Sequence, residues 1–267
     1  MCAPGNVPSV CVCSMTDPAV DTLAETLDAT TLDPDAPIQL LDTEEAVRRV
    51  TGELLAAGTP VAVDFEGRDL CRAGKLDLMQ LSNGTRTWLI DVTTLGEAAF
   101  SAGARELLES KTVLKVGYDG RADADALWHL HQTMLTNFYD VQVASCKRQD
   151  STEGRRDRLV HGLGRAMDVF LRGDRARQAV SAVVKDAGRR LFAPELGGSY
   201  DVWAERPLSE TLIEYAGNDV ALLLEMREAW ERYSPTAVNI HTSSERIRKA
   251  VQGSRPAKGK QMALKDF

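Results

Sequence analysis

The 267-residue sequence contains no apolar run approaching the ~18 residues that a membrane-spanning helix needs, so an integral helical membrane protein is excluded and no membrane partner is expected. It also lacks any C-x-x-C pair. Cys11 and Cys13 are spaced C-x-C, while Cys71 and Cys146 stand alone. A disulfide framework or a cysteine-rich zinc site is therefore not expected, and free thiols fit a reducing compartment. No lysine or arginine occurs before Arg48, and the first residues hold no continuous apolar core. Neither a secretory signal nor a mitochondrial presequence is expected, and a cytoplasmic or nuclear protein is. Internal repeats are absent. Gly117-Tyr118-Asp119-Gly120 lacks the further glycines and the later acid of a dinucleotide-binding loop.

What is present is charge, unevenly spread. The formal net charge is −7, which on its own speaks against a polyanionic partner. Nine acids fall within residues 1–47, leaving 30 acids against 32 bases in the rest of the chain. Residues 147–190 hold twelve bases against six acids, and residues 246–265 hold seven bases and no acid. The acidity belongs to the front of the chain.

Residues 1–36 are rich in Pro, Thr, Ser, Ala and Asp and read as an acidic flexible arm. Strands are expected at 37–41, 61–66, 76–81, 87–92 and 112–118, with a short extended piece at 138–141. Asn83-Gly84 predicts a type I′ hairpin turn. Helices are expected from an Asp42 N-cap to about Ala57, over 96–109, 121–132 and near 142–149 (after an Asp140 cap), near 158–170 and 176–190, and from about Ser209 to Tyr233. Residues 234–267 read as a basic flexible tail. The order predicts one α/β domain over 37–233, with a mixed sheet, helices on its faces and a helical C-terminal part.

Asp64 and Glu66, two apart on a strand, project from one face ~6.5–7 Å apart. Taken alone, a D-x-E pair fits an exposed strand end as readily as a site. Asp123 opens a helix, where an acid also suits the helix dipole, and Asp119 and Asp125 compete with it. Tyr215 and Asp219 stand at i and i+4 on the late helix, sharing a face. Together these residues offer the oxygen ligands that hard divalent cations prefer. Two such ions ~4 Å apart can stabilise both the attacking and the leaving oxygen of a phosphoryl displacement.

Val63-Asp64-Phe65-Glu66-Gly67, with Leu78-Met79-Gln80-Leu81 and Trp88-Leu89-Ile90-Asp91, resembles the first motif region of the DEDD (DnaQ-like, ribonuclease D) superfamily of 3′-5′ exonucleases. Lys115 through Asp123 resembles the second, in its Egalitarian-like, exonuclease-domain-containing branch. Leu208-Ser209-Glu210 through Tyr215-Ala216-Gly217-Asn218-Asp219 resembles the third, in its tyrosine variant. The resemblance covers roughly residues 38–233. It implies a ribonuclease H-like α/β/α sandwich that hydrolyses 3′-terminal phosphodiesters to nucleoside 5′-monophosphates. It further implies that Asp64, Glu66, Asp123 and Asp219 bind two divalent cations, Mg²⁺ or Mn²⁺, and that Tyr215 orients or helps deprotonate the attacking water. Tyr118 departs from the histidine that many relatives carry there. The implied partner is single-stranded nucleic acid with a free 3′ end, RNA favoured over DNA. The alternative is a binding adaptor in a small-RNA or ribonucleoprotein complex, against which the full set of acids speaks.

Arg121, beside these acids, is a candidate phosphate contact or a helix cap. Phe65 is a candidate wedge against the terminal base, or core. Arg155, Arg156 and Arg158, with Arg165, Arg172, Arg175 and Arg177, fit either a nucleic-acid track or a solvated face. The tract from Arg246 to Lys260 fits a nuclear signal or a phosphate-binding arm.

Overall fold

The structure, a computed structural model, describes residues 38–154, 159–258 and 262–267. The expected arm over 1–36 and the run Arg155, Arg156, Asp157 and Arg158 lie outside the described residues, as does Lys260. Six strands form one mixed sheet in the order β1-β4-β3-β2-β5-β6. They are β1 (Ile38–Leu41), β2 (Val61–Glu66), β3 (Leu78–Ser82), β4 (Thr87–Asp91), β5 (Lys115–Gly117) and β6 (Phe138–Asp140). β3 runs antiparallel to both neighbours, and the other pairings are parallel.

The β3–β4 hairpin closes by a different device from the expected one. Asn83 does not take the positive φ that a type I′ turn demands of both central residues. Its side-chain oxygen instead accepts from the backbone N–H groups of Thr85 and Arg86 at 3.0 and 2.9 Å, rounding a longer loop.

Alternation along β2 sends Val61, Val63 and Phe65 into one core and Ala62 into another. The first core lies under helices α1 (Glu44–Ala57) and α2 (Arg121–His131), with four short helical pieces covering Val92–Glu109 between them. The sequence predicted one helix over 96–109. Gly96 at φ 55° and Gly103 at φ 132° break it, and an added Cβ on Gly103 would meet Thr51 Oγ1 of α1 at 2.2 Å. α1 is capped by Thr43, one residue later than predicted, whose hydroxyl accepts from Ala46 N at 3.3 Å.

The opposite face of the sheet carries α3 (Val141–Glu153), α4 (Leu163–Phe170), α5 (Arg175–Phe192), α6 (Glu210–Ala221) and α7 (Leu223–Trp230). Asp140 caps α3 as expected, accepting from Gln142 N at 2.9 Å. The predicted long helix from Ser209 is interrupted at Leu222, between α6 and α7.

The expectation of a flexible tail from residue 234 is corrected. Residues Thr236–Gln252 form α8, which packs on α2 and β6. Asn239, Ser243, Arg246 and Ile247, at helical spacing, are buried. Asn239 accepts from Asp140 N at 2.8 Å and donates to Asp140 O at 3.0 Å, satisfying the free edge of β6. Among the described residues no helix is long and apolar enough to cross a membrane.

Candidate active site

Asp64 and Glu66 leave β2 on the side opposite Phe65, and both are half-buried. Gln80 faces Asp64 across the β2–β3 pairing, and its buried amide has no hydrogen-bond partner among the described residues. α6 crosses above this face. Ser209 starts the helix by accepting from Leu212 N at 3.4 Å. Gly217 lets it lie close, because an added Cβ there would meet Ile38 Cδ1 at 2.4 Å. Tyr215 and Asp219 are thereby lowered toward the strand and are only 7% and 4% exposed.

One ligand oxygen each from Asp64, Glu66 and Asp219 lie within 4.8 Å of one another. Asp123, in the first turn of α2, stands outside that triad but beside it, since its charge bears on Glu66 and that of Asp64 bears on it. Its two competitors are otherwise engaged. Asp125 holds Arg72 and Asp119 holds Arg121, each at 2.5 Å. Asp64, Glu66 and Asp123 make no ion pair among the described residues.

The acids pay for this crowding in proton affinity. Burial, then Asp219, pushes Asp64 up to about 7, against the pull of Lys185 and a backbone hydrogen bond. Burial raises Glu66 well above its ordinary value, with Asp64 and Asp219 adding to it. Asp123 is raised likewise by burial, then by Asp64, Asp119 and Asp140. Burial and the charges of Asp219, Glu66 and Asp64 hold the Tyr215 phenol far above its normal range, so it stays protonated. Its ring packs edge-on against Phe192, with centroids 5.1 Å apart.

Lys185, on α5, escaped the sequence reading. Its ammonium pairs with Asp219 Oδ1 and lies 4.9 Å from the centroid of the Tyr215 ring. Gly188, one turn on, permits that approach, for an added Cβ would meet Tyr215 Cβ at 2.6 Å. A lysine one turn before a glycine was the local signal; its partner lies 34 positions away.

Two candidate substrate contacts have their side chains engaged elsewhere. Phe65 is 4% exposed in the opposite core with Val61 and Val63, because the strand's period of two turns it away from the acids. Arg121 is committed elsewhere: its Nε and Nη2 donate to Asp119 at 2.5 and 2.8 Å, and Nη2 also to Met262 O at 2.6 Å.

Once ionised, three clustered carboxylates and a fourth beside them outnumber the one ammonium among them. An all-oxygen set of this kind suits hard divalent cations, whose charge would offset the repulsion that burial amplifies.

A family model described as 3'-5' exonuclease matches residues 38–232. The chain is 30% identical over 169 residues to piRNA biogenesis protein EXD1 of Xenopus laevis, covering 63% of this chain and 36% of that protein. It is 31% identical over 170 residues to the protein of that name from Homo sapiens, covering 63% and 32%. The chain thus spans about a third of the length of these curated relatives. Trypanosoma brucei RNase D in complex with RNA U12 shares the fold, with a TM-score of 0.66 at 19% identity over 88% of this chain and 77% of that one. The match spans β1 to α7, the elements that build the carboxylate site, and this chain belongs to the 3'-5' exonuclease family.

Proposed function

We propose that this protein is a metal-dependent exonuclease that shortens single-stranded RNA from its 3′ end, releasing nucleoside 5′-monophosphates. The convergence of Asp64, Glu66 and Asp219 within 4.8 Å carries the reading. In it, those three acids and Asp123 hold two cations, Mg²⁺ or Mn²⁺. When bound, such ions supply Lewis-acid stabilisation to the attacking and departing oxygens of an in-line displacement.

The chain's own residues do the rest. Tyr215, kept protonated, donates a hydrogen bond that orients the incoming water and marks the site as the tyrosine variant. Lys185 holds Asp219 in place and offsets part of the acidic excess. Water adds at phosphorus, the bond to the upstream 3′-oxygen breaks, and that oxygen leaves as the new 3′-hydroxyl. RNA is favoured by the relatives' names, piRNA biogenesis protein and RNase D. A cytoplasmic or nuclear location and a ribonucleoprotein partner follow from the same reading.

The test uses 5′- and 3′-labelled oligonucleotides of matched RNA and DNA with Mg²⁺. Progressive 3′ shortening of RNA, abolished by chelation and in Asp64→Ala, is expected. RNA binding with no shortening and no metal dependence would favour the adaptor reading, which the relatives' link to piRNA biogenesis also suits.

A further inference from the structure

A charged cavity lies on the same face of the sheet as the acids. It has a volume of about 320 Å³ and sits between α3, α4 and the start of α5. Arg148 of α3, Arg165 of α4 and Arg172 just beyond α4 line it, with Gln178 of α5. Glu153 and Asp168 also line it, so cations outnumber anions there by three to two. None of the three guanidinium groups is in an ion pair among the described residues, although Arg148 lies 5.9 Å from the ring of Trp230. The neighbouring arginines are differently placed: Arg177, Arg189 and Arg190 hold Glu225, Glu195 and Asp186. Two carboxylates offset part of the charge of three guanidinium groups, none ion-paired among the described residues, so the cavity keeps one positive charge in excess, and forked guanidinium donors match a phosphate.

The cavity is tied to the acids through α5. Gln178 and Lys185 are seven residues apart, on one face of the helix and ~10.5 Å apart along it. From α4, an added Cβ on Gly164 would meet Lys185 Cε at 3.7 Å, and the next residue, Arg165, lines the cavity. Lys185 in turn touches Asp219. At ~3.4 Å of rise per nucleotide, ~10.5 Å is about three nucleotides, and fewer in an extended strand.

We propose that this cavity is a phosphodiester-binding subsite that holds the substrate strand two or three nucleotides upstream of the scissile linkage. The proposal rests on the exonuclease reading for the direction of the strand. Arg165 and Arg172 grip the phosphate, and Arg148 backs them from its seat on Trp230. Glu153 and Asp168 stand where they accept hydrogen bonds from the hydroxyl or amino groups of the nucleotide.

The test measures binding of a 5′-fluorescein single-stranded RNA of about twelve nucleotides by anisotropy, in the non-cleaving Asp64→Asn background with Mg²⁺. Arg165→Ala/Arg172→Ala is compared with Arg189→Ala/Arg190→Ala, which removes the same charge farther along α5. The cavity pair is expected to weaken binding at least about tenfold. It should also flatten the slope of log affinity against log salt by about 0.7 for each phosphate no longer neutralised. The control pair is expected to change binding less than about twofold, with circular dichroism confirming the fold of both. Equal affinities and salt slopes for the two pairs, or no RNA binding by the parent protein, would overturn the proposal. Absence of 3′ shortening by the wild-type protein would sink the exonuclease reading separately, since the binding measurement requires no turnover.

Discussion

Two clusters of acids, each built round one buried carboxylate (Asp140 in one, Asp219 in the other), lie within this protein, and they are solved in opposite ways. Around β6 and α8, Asp140, Asp119 and Asp266 surround Arg246, which pairs with all three and also donates to Gln142 at 2.7 Å. Arg121 adds a second guanidinium on Asp119 and Asp266. Around β2 and α6, by contrast, Asp219 alone of the three clustered acids pairs with a cation, Lys185, and Asp64 and Glu66 pair with none among the described residues. The first cluster closes on itself and ties the C-terminal helix to the sheet. The second is left short of positive charge, and in the proposed function divalent cations make up that difference.

The largest effect that would break this contrast concerns turnover. Asp64→Asn and Asp219→Asn should each lower the rate of 3′ shortening by about 10³-fold or more, measured on labelled RNA at saturating Mg²⁺. The same Asp64→Asn change should raise the cation-free melting temperature, because it removes a charge disfavoured first by burial and then by Asp219. Asp140→Asn, which unbalances the paired cluster, should lower it. Next comes stability. Arg246→Met strands the buried Asp140 without its partner, Asp119 keeping Arg121, and should cost about 3–5 kcal/mol in urea denaturation.

A third effect separates the clusters by pH. An acid raised on folding binds more protons folded than unfolded, so its stabilising contribution is lost as pH rises. For Asp64 the window runs from 3.8 to about 7. Without divalent ions the melting temperature should therefore fall across that window. Mg²⁺ should restore about 5 °C at pH 8 and much less at pH 5, where protons compete. Smallest is the effect of Lys185→Met. Removing the resident cation should lower the Mg²⁺ concentration for half-maximal activity roughly three- to tenfold.

The candidate site was legible where local rules govern it. Strand parity put Asp64 and Glu66 on one face and helical spacing put Tyr215 and Asp219 on another, while the resemblance alone implied that the two faces meet. The helix boundaries near Ser209 and Asp140 followed from side chains that cap. What escaped depended on partners far along the chain. Arg246 sits in a basic tract that reads as solvated tail, yet its acid, Asp140, is 106 residues earlier. Lys185 lies in a polar helix whose role appears only once Gly188 has brought it onto Tyr215. Arg121 and Phe65 looked suited to substrate by proximity in sequence. Competing acids in one case and the alternation of the strand in the other direct them elsewhere.

The contrast between the clusters is tested most directly by titrating the protein with Mg²⁺ in a calorimeter, in buffers of different ionisation enthalpy. Cation uptake with release of protons is expected at pH 6.5–7, where Asp64 is still partly protonated. Asp64→Asn should abolish or sharply weaken that uptake, while Asp266→Asn, in the paired cluster, should leave it intact. If the wild type takes up no cation, or if the two variants behave alike, the account of an unfilled acidic site is wrong.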